Sequence, residues 1–195
     1  DALLQDQLVN RMLSMRLFEL TDKTTKPFMA ARAQRAPVVR GYEAFLVSAA
    51  VAGQDPVEAV RVLATEIERA RRFGFSAEEL DAARRDIVSS YAEANAERHT
   101  SESASLADEL GRHFLTGEPV PGIAWEYERV KQVIPPLTLE AFNAYAQRVL
   151  DEPGSEPFVL FTAPSAAGAD AKALRDAVIA ARQAELTPYR GIKVD

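Results

Sequence analysis

The sequence predicts an α+β fold in which helices are layered on a small, largely antiparallel sheet. Apolar residues recur at helical spacing along most of the chain, and two neighbouring segments between residues 28 and 52 are typical of a strand hairpin. No internal repeat occurs at the period of a solenoid. Of the 195 residues, 47% are hydrophobic and 27% are charged, a composition typical of a globular domain with a sizeable core.

The N-terminal part of the chain predicts one helix followed by two strands. The helix covers about residues 3–20, where Leu4, Leu8 and Met12 lie at helical spacing. The strands cover residues 28–36 and 42–52. The first strand carries charged and polar side chains, which is typical of an edge or a cleft wall. The second is apolar at odd and even positions, which predicts that both of its faces are buried.

The rest of the chain predicts mainly helices. One begins at Asp55, a capping residue that is followed by Pro56 at the first helical position. Its predicted buried stripe consists of four aliphatic residues: Val57, Val60, Ala64 and Ile67. The other helices are predicted over residues 77–96, 102–115, 123–133, from Thr138 onward, and 170–185. One face of helix 102–115 carries three apolar residues: Leu106, Leu110 and Phe114. A short apolar strand is predicted at residues 158–162.

The segment Phe73-Gly74-Phe75-Ser76 predicts a corner between two helices. Gly74 favours the left-handed conformation that ends a helix. Ser76 and Glu79 have the spacing of a capping box, in which the serine side chain accepts a hydrogen bond from the first turn and the glutamate reaches back to the serine amide. The two phenylalanines that flank the break are predicted to enter the core.

Charge and composition exclude several classes of function. The formal net charge is -6 and the pI is about 5.1, so a nucleic-acid partner has no electrostatic support. The absence of cysteine excludes disulfides, thiolate zinc sites and a cysteine nucleophile. No apolar run reaches the roughly 18 residues of a membrane helix. The densest basic cluster interleaves with acidic residues and is predicted to be solvated: Arg69, Arg71, Arg72, Arg84 and Arg85.

The two histidines do not complete a recognisable metal motif. The stretch HTSES at residues 99–103 contains His-x-x-Glu, but Ser103 lies where His-x-x-Glu-His needs its second histidine. His113 lies about 20 Å further along a straight helix, too far to share one ion with His99. A zinc site of His99, Glu102 and His113 therefore remains the weakest hypothesis. No Gly-x-Ser-x-Gly motif or glycine-rich phosphate loop occurs either.

Two longer stretches carry a family resemblance. These are RRFGFSAEELDAARRDIVSSY at residues 71–91 and HFLTGEPVPG at residues 113–122. Together with the order of the elements over residues 3–150, they resemble the second, non-catalytic domain of the insulinase/pitrilysin family of zinc metallopeptidases. The likeness is greatest to long bacterial members known as predicted zinc proteases.

The resemblance implies a fold and a function. The family fold is an αβ sandwich, also found in mitochondrial processing peptidase, and its zinc ligands belong to a different domain, within His-x-x-Glu-His and a downstream glutamate. No position here matches those ligands, so neither a catalytic residue nor a metal ligand is predicted in this chain. Zinc is expected in the active domain of the parent, and the expected partners are that domain and a peptide or unfolded substrate. The alternative is a structural or assembly module of the same fold with no peptidase role.

Residues 1–195 are predicted to form one such domain and to be a fragment of a longer parent, because the chain starts at Asp1 without Met inside a helical pattern. The sequence leaves the compartment of the parent open, with the bacterial periplasm as one candidate. Contact with substrate is expected at the predicted hairpin, because edge strands offer free backbone donors and acceptors to an extended peptide. The side chains predicted to contact it are Arg32, Arg35 and Tyr42.

Overall fold

A computed structural model describes residues 2–22, 26–39, 41–100, 103–117, 119–151, 157–163 and 169–191. Within these ranges the chain forms a two-stranded antiparallel hairpin and seven α-helices: α1 (Ala2–Glu19), β1 (Ala30–Val39), β2 (Tyr42–Ala50), α2 (Pro56–Phe73), α3 (Ala77–Ala96), α4 (Ser103–Thr116), α5 (Ile123–Val133), α6 (Leu139–Leu150) and α7 (Ala171–Gln183). The predicted α+β class is confirmed, with helices packed on a small antiparallel sheet. No helix in the described ranges combines the length and apolarity needed to cross a membrane.

Helix α1 is the centre of the hydrophobic core. Five of its apolar side chains are at most 1% exposed: Leu8, Val9, Met12, Leu13 and Leu17. They pack with Phe28 before β1, Phe75 and Leu80 at the start of α3, and Phe142 of α6. Burial of each such side chain stabilises the fold by about 1.5–3 kcal/mol. Because these side chains contact β1, α3 and α6 or the residues next to them, their burial holds those elements against α1.

The local start signals of the helices are confirmed. The side chain of Asp55 accepts a hydrogen bond from Val57 N at 2.9 Å and Pro56 opens α2. Thr138 caps α6 through Ala141 N at 3.2 Å. These caps act over three or four residues, which is why the sequence alone located them.

The helix corner is confirmed, with one correction. Ser76 and Glu79 form the full capping box. Gly74 has φ 69° and ψ -151°, which is not the predicted left-handed helical conformation but a region open almost only to glycine. Phe75 is 4% exposed and enters the core, whereas Phe73 is 39% exposed, so the prediction for Phe73 was wrong.

The hairpin departs from prediction in its first strand. β1 begins at Ala30 and continues to Val39. Pro37 still pairs with Glu43, and a register irregularity follows between residues 37 and 39, a place in a strand that tolerates proline. Phe28, predicted to be in the strand, precedes it and is fully buried in the core.

The predicted burial of both faces of β2 was wrong. Phe45, Val47 and Ala49 pack against the core, but Leu46 on the other face is 39% exposed, and Ser48 beside it is exposed as well. The continuous apolar pattern came largely from alanines, which carry too little surface to require burial.

The strand predicted at residues 158–162 is not formed. Phe158 is 85% exposed and Leu160 is 79% exposed, and no described strand pairs with this segment. An apolar run predicts a strand only if a neighbouring strand accepts its backbone hydrogen bonds. The described sheet contains β1 and β2 alone.

Helix α2 buries charged residues where an aliphatic stripe was predicted. Its buried residues are Ala59, Glu66, Glu68 and Ala70, while the four predicted aliphatic residues are only partly buried. The hydrogen bond from Arg71 to Glu68, together with the one from Arg72, outweighs burial and holds the pKa of Glu68 below its ordinary value. The glutamates are buried because each pairs with an arginine of the same helix.

The predicted solvation of the basic cluster was wrong for the arginines of α2. Arg69 Nε donates to the carbonyl of Thr187 at 3.1 Å, and Arg72 Nη1 donates to that of Ala184 at 2.9 Å. These bonds fasten the extended segment after α7 onto α2. Sequence spacing could not predict this, because the partners lie more than 100 residues away.

Candidate functional site

The hairpin places the three predicted contact residues on different sides of the sheet. Arg32 pairs with Ser48 across the strands and lies on the outer, exposed face with Gln34, to which it donates a hydrogen bond. Tyr42 is 58% exposed. It lies on the same face of β2 as Ser48, because an even number of residues separates them, but it is six residues further along the strand. At about 3.3 Å per residue, Tyr42 and Arg32 are roughly 20 Å apart.

Arg35 faces the core side and is held by two carboxylates. Its Nε donates to Glu43 Oε2 at 3.1 Å and lies 4.0 Å from Asp6 Oδ2. Burial alone would lower the pKa of Arg35, but the hydrogen bond to Glu43 and the charge of Asp6 outweigh it and raise the pKa. The cation is therefore permanent, and its partners belong to the fold.

Asp6 also binds Tyr145, which the sequence analysis did not single out. Tyr145 Oη donates to Asp6 Oδ1 at 2.7 Å and is 9% exposed, and burial together with this hydrogen bond raises the pKa of the phenol. The contact joins the start of α1 to α6 and, through Arg35, to β1. No local pattern announces it, because Asp6 and Tyr145 are 139 residues apart.

The outer edge of β1 is already occupied by α1. Ser14 Oγ accepts a hydrogen bond from Ala33 N at 3.0 Å and is also 3.3 Å from Ala33 O, to which it donates. Asn10 Oδ1 accepts from Arg35 N at 2.9 Å. An extended peptide therefore cannot pair with β1 at these residues. Asn10 and Ser14 lie four residues apart, so both face the same side of α1. This polar pair is the sequence signal that could have predicted the contact with β1.

The free edge of the hairpin is β2. Ala33 and Arg35 direct their backbone groups towards α1, so their partners Val47 and Phe45 direct theirs away from β1, as residues in non-hydrogen-bonded antiparallel pairs do. Within the described ranges, no side chain or loop hydrogen bonds to the backbone of these two residues. This edge can accept another extended chain.

The histidines do not come together as a metal centre. His99 follows the end of α3 and is exposed, and His113 is exposed on α4, while Glu102 lies outside the described residues. Among the residues that are described, no group of three or more His, Cys, Asp or Glu could hold a metal ion. The hypothesis of a zinc site formed by His99, Glu102 and His113 gains no support.

Helix α4 carries its apolar stripe on the surface. Leu106 is 49% exposed, Leu110 is 59% exposed and Phe114 is 86% exposed. Leu115 and Trp125, nearby in the chain, are also more than half exposed. Leu106, Leu110 and Phe114, which share one face of the helix, are called the α4 stripe below. Amphipathic helices bury such a stripe against a partner, so the exposed stripe is a candidate interface.

Comparisons with known proteins confirm the resemblance in sequence and fold. Over 83 residues the chain is 34% identical to a zinc protease PQQL-like protein of Arabidopsis thaliana, a match that covers 43% of the chain and 9% of that protein. No protein-family model matches the chain.

Solved structures of insulinase-family proteases share the fold. The first half of the periplasmic protease PqqL from Escherichia coli matches with a TM-score of 0.70 at 16% identity, over 96% of this chain and 41% of that half. A predicted insulinase family protease from Yersinia pestis matches with a TM-score of 0.68 at 16% identity, over 92% of this chain and 38% of its own length. In complete PqqL the match spans 21% of the protease, so the chain corresponds to a minor part of each relative.

Proposed function

We propose that this chain is a non-catalytic domain of a zinc metalloendopeptidase. It supports the zinc-bearing domain of the same polypeptide and helps to wall the chamber that holds the peptide substrate. The fold shared with parts of protease halves supports a protease-associated domain. The described residues offer no metal cluster, so the proposal assigns zinc and the chemistry of hydrolysis to another domain of the parent.

The α4 stripe is the observation that carries the proposal. Its three apolar side chains are exposed by 49–86%, although they lie at the i, i+4 and i+8 positions of one helix. Burying one such side chain is worth about 1.5–3 kcal/mol, which gives a partner a substantial gain. The relatives with this fold contain more than twice the length of this chain. The occupant proposed here is therefore a neighbouring domain of the parent polypeptide.

Leu110→Asp tests this assignment. Leu110 is 59% exposed, so in the isolated chain the free energy of unfolding should change by less than about 0.5 kcal/mol. In the zinc-loaded parent, a buried and unpaired carboxylate would weaken docking of the domain. We expect kcat/KM for an unstructured peptide to fall at least tenfold, with zinc content unchanged.

Asp108→Lys is the matched control, because residue 108 lies on the opposite side of the same helix and is exposed. It should leave kcat/KM within twofold of the wild-type value. Equal activity of the Leu110→Asp parent would refute docking at the α4 stripe. Chelator-sensitive peptide cleavage by the isolated chain would refute the non-catalytic assignment. A parent without His-x-x-Glu-His would favour the alternative, an assembly module with no peptidase role.

We further propose that peptide substrate contacts the hairpin along β2. Phe45 and Val47 offer unpaired backbone groups at this edge, and Arg32 and Tyr42 lie on the exposed face. Arg35 positions the hairpin and does not contact the peptide in this proposal, because Glu43 and Asp6 pair with its guanidinium group. The arrangement matches recognition by strand addition, in which the main chain supplies affinity and side chains supply specificity.

Val47→Pro tests strand addition at this edge. The substitution removes a backbone N–H that points away from β1, so the β1–β2 ladder keeps its hydrogen bonds. In the parent we expect KM for an extended peptide to rise at least tenfold with kcat nearly unchanged. The lost hydrogen bond would hold the substrate equally in the ground state and in the transition state, so its loss weakens binding without slowing the chemical step. Arg32→Ala and Tyr42→Ala should each raise KM by only about two- to fivefold.

Ser48→Pro is the contrasting control, because residue 48 pairs towards β1 and its amide belongs to the ladder. It should lower the thermal stability of the isolated chain more than Val47→Pro does, because Val47→Pro loses core packing but no hydrogen bond of the β1–β2 ladder. An unchanged KM in the Val47→Pro parent would exclude peptide pairing at β2.

A further inference from the structure

The outer face of the hairpin carries a single charge. This face consists of the even-numbered residues of 30–36 and 42–50, and Arg32 is the only charged residue among them. The others are alanines, Gln34, Tyr42, Leu46 and Ser48. Glu43 is the only acidic residue between positions 30 and 50, and it lies on the core-side face, where it accepts a hydrogen bond from Arg35. The outer face therefore presents a positive charge that no acid of the hairpin balances.

Arg32 has hydrogen-bond donors to spare. The residue is exposed, and its Nη2 donates to the side-chain oxygen of Gln34. A guanidinium group has five N–H donors, and no carboxylate in the described ranges pairs with this one. A carboxylate is the acceptor that binds a guanidinium most strongly, because both the charge and the planar geometry match.

Ser48 leaves a path from Arg32 to the free edge of β2. It lies directly opposite Arg32, and its side chain is short. A chain added at this edge would lie two strand spacings from β1, roughly 10 Å. An arginine and a glutamate side chain can together bridge this distance above the serine. The residue of an added chain that Arg32 reaches is therefore the one opposite Ser48.

Leu46 offers an apolar contact on the same face. It is 39% exposed, and its neighbours along this face of β2 are the short side chains of Ala44 and Ser48. The backbone groups of Phe45 and Val47 point to the free edge, so a peptide residue opposite Leu46 would belong to a non-hydrogen-bonded pair, in which side chains approach most closely. This position favours a large apolar side chain.

We propose that the β2 edge selects peptides that carry an acidic residue two positions before a large apolar residue. The peptide runs antiparallel to β2, the more stable pairing, so the residue that meets Ser48 precedes the one that meets Leu46. Its carboxylate accepts hydrogen bonds from Arg32, and its apolar side chain packs on Leu46. The inference deepens the proposed function and rests on it for strand addition at β2.

Nuclear magnetic resonance titration of the labelled chain with seven-residue threonine peptides tests this preference. The probe carries glutamate at its third position and leucine at its fifth. Three comparison peptides carry glutamine in place of the glutamate, alanine in place of the leucine, or the two residues exchanged. Shifts in the amides of Phe45 and Val47 report pairing with β2. We expect each comparison peptide to bind about two- to fivefold more weakly than the probe, the range of exposed ion pairs and cross-strand pairs. Equal affinity of the probe and any comparison peptide would overturn the proposal.

Two variants assign the preference to side chains of this chain. Both positions are exposed, so both variants should fold. Arg32→Gln should bind the glutamate and glutamine peptides equally, and Leu46→Thr should bind the leucine and alanine peptides equally. Lys172→Gln removes one positive charge from the surface of α7 and should keep the full preference. A preference for glutamate that survives in Arg32→Gln would overturn the role of Arg32.

The same titrations separate this inference from the proposed function. Equal shifts of the Phe45 and Val47 amides by all four peptides would refute the selectivity and leave strand addition at β2 intact. If no peptide shifts these amides, strand addition at β2 is refuted, and the selectivity with it.

Discussion

Gly74→Ala is expected to lower the free energy of unfolding by about 3–5 kcal/mol. The backbone at Gly74 has φ 69° and ψ -151°, a region that costs a residue with a Cβ about 1–3 kcal/mol. A Cβ there would also lie 2.7 Å from Asn143 Cγ and Oδ1. The Asn143 side chain cannot move away freely, because it accepts from Phe75 N at 2.8 Å and donates to Phe75 O at 3.0 Å.

Gly53→Ala is the matched control for this prediction. Gly53 also has a positive φ, 83°, but no atom lies within 4 Å of the position of its missing Cβ. Its substitution should therefore report the cost of a Cβ residue at positive φ alone, about 1–2 kcal/mol. Urea denaturation of both variants measures the difference. Equal losses in the two would mean that Asn143 yields without loss of its hydrogen bonds, and that the corner is less rigid than its geometry indicates.

Glu79→Ala is expected to lower the free energy of unfolding by a similar amount, about 3–5 kcal/mol. Arg16 is 2% exposed, and its Nη2 donates to Glu79 Oε2 at 2.9 Å and to the carbonyl of Gly74 at 2.9 Å. Removing one partner of a buried ion pair leaves the other charge uncompensated. The substitution also removes the carboxylate that accepts from Ser76 N at 2.8 Å in the capping box.

Glu78→Ala is the control, because Glu78 is the neighbouring acid of the same first turn and is exposed. Its substitution should change stability little. The double variant Arg16→Met with Glu79→Leu should recover part of the loss, since an apolar pair of similar volume needs no compensation in the core. A loss for Glu79→Ala no larger than that for Glu78→Ala would contradict this account of the pair.

The corner also determines where the C-terminal segment lies. The Arg16 guanidinium is stacked between two rings, 4.4 Å from the centroid of Phe75 and 4.5 Å from that of Tyr189. The Tyr189 hydroxyl donates to Glu19, and burial together with this hydrogen bond raises the pKa of the phenol. With the bonds from Arg69 and Arg72, these contacts hold residues 182–189 against α1 and α2. A rigid body of this kind is what a supporting domain requires under the proposed function.

The sequence by itself determined the features that depend on neighbours within about four residues. The helices, the cap at Asp55, the capping box at Ser76 and the turn between the two strands follow from periodicity and from side chains close in the chain. The fold class followed as well, because the order of these elements limits how they can be layered.

Only the tertiary structure decided which surfaces are covered. The apolar pattern of β2 did not reveal that one of its faces is exposed, and that of residues 158–162 did not reveal that no described strand pairs with them. For the candidate site, the sequence located the hairpin. Only the contacts of Asn10 and Ser14 showed that β1 is covered, while no described residue pairs with the outer edge of β2. Burial and strand pairing depend on two segments that are distant in the sequence and adjacent in the fold. The periodicity of one segment can be read from its own residues, but the identity of the segment that packs on it cannot.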